Sequence, residues 1–174
     1  MGLEILIHKC KKEDYLRRKD NPDAVNWMCF EASCKAFGIS LPNSLRPKIT
    51  QEQQKEHSCQ HITTLYGSHL YNWLIHNTDV SLDRAERVVF EKDAISKLKD
   101  ICELIYAKTV EEEHFNNEDL CRELLPIPEG YCFSSGDEYD DFYLDCVYYA
   151  LELLAGLLEH VDFENELVLV MADW

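Results

Sequence analysis

The chain has 174 residues, 46% hydrophobic and 11% aromatic, enough apolar material for a buried core and too much for a disordered tail. Its net charge of −16 is unevenly placed: residues 1–99 hold 15 Lys and Arg against 13 Asp and Glu, whereas residues 100–174 hold 2 (Lys108 and Arg122) against 20. Such an acidic field repels nucleic acid and anionic membrane and favours basic protein surfaces or cations, so direct nucleic-acid binding by the C-terminal part is not expected.

In chain order, "LEILIHKC" alternates as a strand does and ends at the basic "KKEDYLRRKD". Ala24 to Phe37 has apolar residues at helical spacing and stops at Gly38, a suitable C′ position. From residue 39 to residue 60, Pro42, Pro47 and a polar run of Gln, Glu and Lys read as a loop-like excursion. Helical spacing returns over Ile62–Asn77 through Leu65, Leu70, Trp73 and Leu74. "RVVFEK" is a short strand, followed by a helix with Asp93 as N-cap and a buried stripe of Ile95, Leu98, Ile101, Cys102 and Ile105.

An acidic connection leads to the short helix "EDLCRELL", which "PIPEG" ends. "YCFSS" is strand-like, Tyr139 to about Val161 a long helix, and "LVLVMAD" a final strand. The β-α-α-β-α-α-β-α-β order lacks a repeated βαβ period. It predicts one α+β domain over 1–174, a small mixed or antiparallel sheet packed with about four to five helices.

The apolar run Leu3–Ile7 is shorter than the roughly 7–15 residues of a secretory h-region and contains Glu4. Leu6 at position six breaks a myristoylation signal, and Glu152 interrupts the apolar stretch Val147–Leu158. The expectation is a cytoplasmic chain with no membrane partner. Its eight cysteines, scattered through apolar segments without a secretion signal, read as reduced and mostly buried thiols.

Three groupings could bear chemistry. "HSCQH" places His57, Cys59 and His61 in alternation, and imidazole and thiolate are ligands zinc prefers, but only His57 and His61 have knuckle spacing. Ordinary loop and core residues are the preferred reading there, with a zinc- or thiol-dependent enzyme as the alternative. No G-x-S-x-G, Gly-rich phosphate loop or H-E-x-x-H occurs, so neither catalysis nor a cofactor is expected.

The third grouping is "DEYDDFYLD", Asp137–Asp145, where the long helix begins. Asp141, Asp145, Glu152 and Glu159 stand at offsets 0, 4, 11 and 18, within roughly 40° of one another at 100° per residue, with Tyr148 on the same stripe. Phe142, Val147, Ala150, Leu154, Leu157 and Val161 occupy the rest of the helix. A wet helix face accounts for the placement, and acids suit the positive N-terminal end of the helix. It does not account for the shortage of Lys and Arg, since solvated faces normally mix signs. The stretch lacks the Gly turn and terminal Glu of an EF-hand loop.

Together, "MGLEILIHK", "HLYNWLIHN", "RVVFEKDAISKLKDICELI" and "ELLPIPEGYCFSSGDEYDDFYLD" resemble segments of a group of small phage and prophage proteins. The resemblance covers about half of the chain and is most specific at Leu124, Leu125, Pro126, Gly130, Phe133, Tyr139 and Tyr143. Tyr71 and Glu4 depart from the group's His and Asp, and region 39–60 has no counterpart. The group has no agreed activity, so the resemblance implies a mobile-element origin and assigns no catalytic residue.

The combined expectation is a non-enzymatic interaction protein that binds and inhibits a basic, nucleic-acid-handling host defence protein by mimicry. Its expected binding residues are Asp137, Glu138, Asp140, Asp141, Asp145, Glu152 and Glu159 as carboxylates, and Tyr139, Tyr143 and Tyr148 as aromatic anchors. A phage housekeeping protein with charge for solubility alone is the remaining alternative.

Overall fold

The computed structural model describes residues 3–13, 15, 60–81, 86–111, 118–129 and 138–173. Strand β1 (Glu4–Lys11) alternates as expected: Ile5 and Ile7 are fully buried while Glu4 stays in solvent. Next come β2 (Gln60–Leu65) and helix α1 (Ser68–Asn77). This corrects the helix expected over Ile62–Asn77, whose first residues are strand. The β-branched Ile62, Thr63 and Thr64 suit a pleated backbone. Gly67, at φ 120°, adopts a conformation that L side chains rarely reach, so the chain turns there and the helix begins only at Ser68.

Strand β3 (Val88–Val89) precedes α2 (Lys92–Glu111), α3 (Glu118–Leu124), α4 (Asp141–His160) and β4 (Glu166–Asp173). The four strands form an antiparallel sheet in the order β2-β1-β4-β3, with Val88 opposite Val170 and Val89 opposite Leu169. Sheet and helices give the α+β class read from the sequence.

The long helices supply much of the core. On α2, Ile95, Leu98, Cys102 and Ile105 are buried and Ile101 packs against them. Burying each large aliphatic side chain is worth about 1.5–3 kcal/mol. Helix α2 starts at Lys92, two residues earlier than Asp93 as an N-cap would require. The Ile95 N–H donates to the Glu91 carbonyl at 2.9 Å, and Asp93 instead lies in the first turn, where a carboxylate complements the helix dipole.

Helix α4 begins at Asp140, an N-cap whose Oδ1 accepts from the Tyr143 N–H at 3.0 Å. Its inner face presents Tyr143, Val147, Ala150, Leu154 and Leu157 at spacings that recur every three or four residues. The segment after α3 is tied down by side chains: the Tyr143 hydroxyl donates to the Leu125 carbonyl at 3.0 Å, and Asn72 Nδ2 donates to the Pro126 carbonyl at 3.0 Å. The Ile127 N–H donates to the Tyr139 hydroxyl at 3.2 Å.

By contacts the chain divides into residues 1–9 with 61–174, and residues 10–60. The helix expected over Ala24–Phe37, the excursion at 39–60 and the strand-like "YCFSS" lie outside the described residues. Among the described residues, no helix is long and apolar enough to cross a membrane.

Candidate acidic interaction surface on the long helix

Part of the acid excess has structural work. Asp140 caps α4. Asp162 organises the turn into β4: its Oδ1 accepts from the Glu164 N–H at 3.1 Å, its Oδ2 from Asn165 Nδ2 at 2.7 Å, and its carbonyl from the Glu166 N–H at 2.7 Å. Glu166 bonds Lys9 at 3.0 Å. On α3, Arg122 donates to Glu118, four residues away, through two of its nitrogens. On α2, Lys99 bonds Glu103 at 2.6 Å and Asp100 at 3.1 Å, and the bond to Glu103 is the main influence raising its pKa.

The expected stripe is a different population. Asp141, Asp145, Glu152 and Glu159 are all exposed along one side of α4. Among the described residues none of the four pairs with a Lys or Arg; the Glu159 carboxylate lies 3.8 Å from the exposed His160 ring. The uncompensated pair Asp141 and Asp145, at i and i+4, costs the helix a few tenths of a kcal/mol. Glu138 is exposed as well, and Asp137 lies outside the described residues.

The aromatic anchors need correction. Tyr148 stands in solvent beside the stripe at 44% exposure. Tyr143 does not: it is fully buried, because position 143 shares the helix face of Val147, Ala150 and Leu154, and it meets no partner there. Burial, with Cys121 beside it, pushes its phenol pKa up, so the hydroxyl remains a donor. Tyr139 is half-buried, packs against the core and has its ring 5.1 Å from that of Tyr143, with the Arg122 guanidinium over the Tyr139 ring, 4.9 Å from its centroid. Phe142, assigned to the apolar side, is instead 39% exposed. Its place on the helix is turned well away from Val147 and Leu154.

Two surface aromatics escaped the sequence reading. Tyr106 of α2 stacks on Tyr148, with ring centroids 5.0 Å apart, and Tyr149 is half exposed with its hydroxyl 2.9 Å from Thr63 Oγ1 of β2. Only the packing of α2 against α4 brings Tyr106 beside the acidic stripe, and no local pattern signals it.

Of the zinc candidates, His57 and Cys59 lie outside the described residues. His61 is exposed on β2, with its ring 5.2 Å from that of His8 and its Nε2 3.3 Å from Thr64 Oγ1. Among the described residues no three His, Cys, Asp or Glu side chains gather as a metal site would require. Cys102, Cys121 and Cys146 are buried free thiols. Burial pushes Cys102 up to about 12 and Cys146 up to about 11, so these thiols stay protonated near neutral pH. No protein-family profile, curated protein or solved structure matches the chain.

Proposed function

We propose that this chain is a non-enzymatic interaction protein of phage type, whose α4 surface binds and blocks a basic host protein that handles nucleic acid in defence, such as a restriction enzyme or a CRISPR effector. One observation supports this reading above the others. Four carboxylates of one helix stand exposed on one side without Lys or Arg partners among the described residues, whereas Asp140 caps the helix, Asp162 holds a turn, and Asp100, Glu103, Glu118 and Glu166 pair with cations. A cationic partner relieves the repulsion that such a row sustains. Asp141 and Asp145 stand about 6 Å apart, close to the spacing of phosphates on a nucleic-acid strand, and Glu152 and Glu159 extend the row at intervals of about 10 Å, so the face suits a groove lined with Lys and Arg.

The reading is tested by affinity capture from a bacterial host lysate with the wild-type chain and an Asp141→Lys/Asp145→Lys/Glu152→Lys variant. The expected result is a nucleic-acid-binding protein retained by the wild type, released as salt rises and lost by the variant. The same captured proteins on both baits would overturn it and favour charge that serves solubility alone.

A further inference from the structure

Tyr106 and Tyr148 form an exposed aromatic pair, 36% and 44% exposed, with ring planes inclined at 35°. Asp145 lies three residues before Tyr148 and Glu152 four residues after it, so ring and carboxylates share one side of α4. The chain itself displays what such a grouping holds. Arg122 places its guanidinium 4.9 Å from the centre of the Tyr139 ring while Glu118 accepts its N–H groups. Tyr148 has the same components, an aromatic ring and flanking carboxylates. Among the described residues, however, no cation lies over it or bonds Asp145 or Glu152, and Lys99 of α2 is engaged by Asp100 and Glu103 of its own helix.

We infer that Tyr106, Tyr148, Asp145 and Glu152 form a docking site for arginine side chains of a basic partner segment. This rests on the proposed acidic surface and narrows it from any cation to guanidinium. A guanidinium is planar and weakly hydrated: it stacks on an aromatic ring while its fork donates to a carboxylate. The lysine ammonium is a compact, strongly hydrated charge that gains less from a ring it must desolvate to reach. An exposed pair of tyrosines beside unpaired acids therefore discriminates between two cations that charge alone treats as equal.

The test is fluorescence anisotropy of labelled nona-arginine and nona-lysine peptides titrated with the full chain. The wild type is expected to bind nona-arginine roughly three- to tenfold more tightly than nona-lysine. Tyr148→Leu should weaken nona-arginine more than nona-lysine and so erase that preference; Tyr106→Leu serves as a second variant, with circular dichroism checking the fold of each. Asp145→Asn/Glu152→Gln should weaken both peptides. Equal binding of the two peptides, unaffected by either Tyr variant, overturns the arginine site and leaves the acidic surface standing. Failure of both peptides to bind the wild type overturns the acidic surface and the arginine site together.

Discussion

Lowering the pH from 7 to 5 tests the burial of His69, the most costly polar placement among the described residues. The side chain is fully buried, neither ring nitrogen has a hydrogen-bond partner, and its ring lies 4.1 Å from that of Tyr143. Burial lowers its pKa from 6.5 to about 3. Because the folded value lies below the unfolded one, the unfolded chain takes up the proton first as the pH falls. Stability present above pH 6.5 is therefore lost progressively down to about pH 3. At about 1.4 kcal/mol per pH unit, this group removes about 2 kcal/mol at pH 5 and approaches about 5 kcal/mol near pH 3. That is a large share of the roughly 5–15 kcal/mol that keeps a domain folded. Urea denaturation of the wild type and a His69→Leu variant, followed by circular dichroism at both pH values, isolates the effect from the many carboxylates common to both. The wild type should lose about 2 kcal/mol more than the variant between pH 7 and pH 5. An equal loss in the two proteins would refute a neutral, desolvated imidazole at this position.

Four further substitutions follow from the same structure. Tyr143→Phe leaves the Leu125 carbonyl without its 3.0 Å donor and should cost about 1–3 kcal/mol in urea denaturation, with no change in partner binding because the ring is buried. Asp140→Ala removes the α4 cap and should cost about 1 kcal/mol, a fall in Tm of about 2–4 °C, whereas Asp145→Asn should leave Tm unchanged or slightly raised. Gly67→Ala sets a Cβ 2.5 Å from His69 Cε1 on a backbone at φ 120°, and should destabilise by at least about 1–3 kcal/mol by thermal denaturation.

Much of the fold was legible because its longest elements have unambiguous periods. Ile95, Leu98, Cys102 and Ile105 mark the buried side of α2, and Val147, Ala150, Leu154 and Leu157 that of α4. The failure at Ile62–Asn77 arose where a strand and a helix adjoin. Leu65, Leu70 and Leu74 fit a helical period, but the β-branched run before Gly67 carried the opposite signal and won. For the site, 100° arithmetic placed the acids correctly because exposure along one helix is a local property. It placed the aromatics poorly. Tyr143 was read with its acidic neighbours rather than with the inward register of Val147 and Leu154. Tyr106 comes beside Tyr148 only through tertiary packing, which no spacing within one segment encodes.

Competition for the captured partner probes the central claim most directly. A fluorescent DNA duplex bound to that partner is titrated with the wild-type chain and with an Asp141→Asn/Asp145→Asn/Glu152→Gln variant. The wild type should displace the duplex, and the neutralised variant should do so at least tenfold less effectively, about 1.4 kcal/mol or more of lost binding. A duplex that stays bound beside the wild-type chain, or equal displacement by the variant, would contradict the claim that these carboxylates occupy a nucleic-acid site.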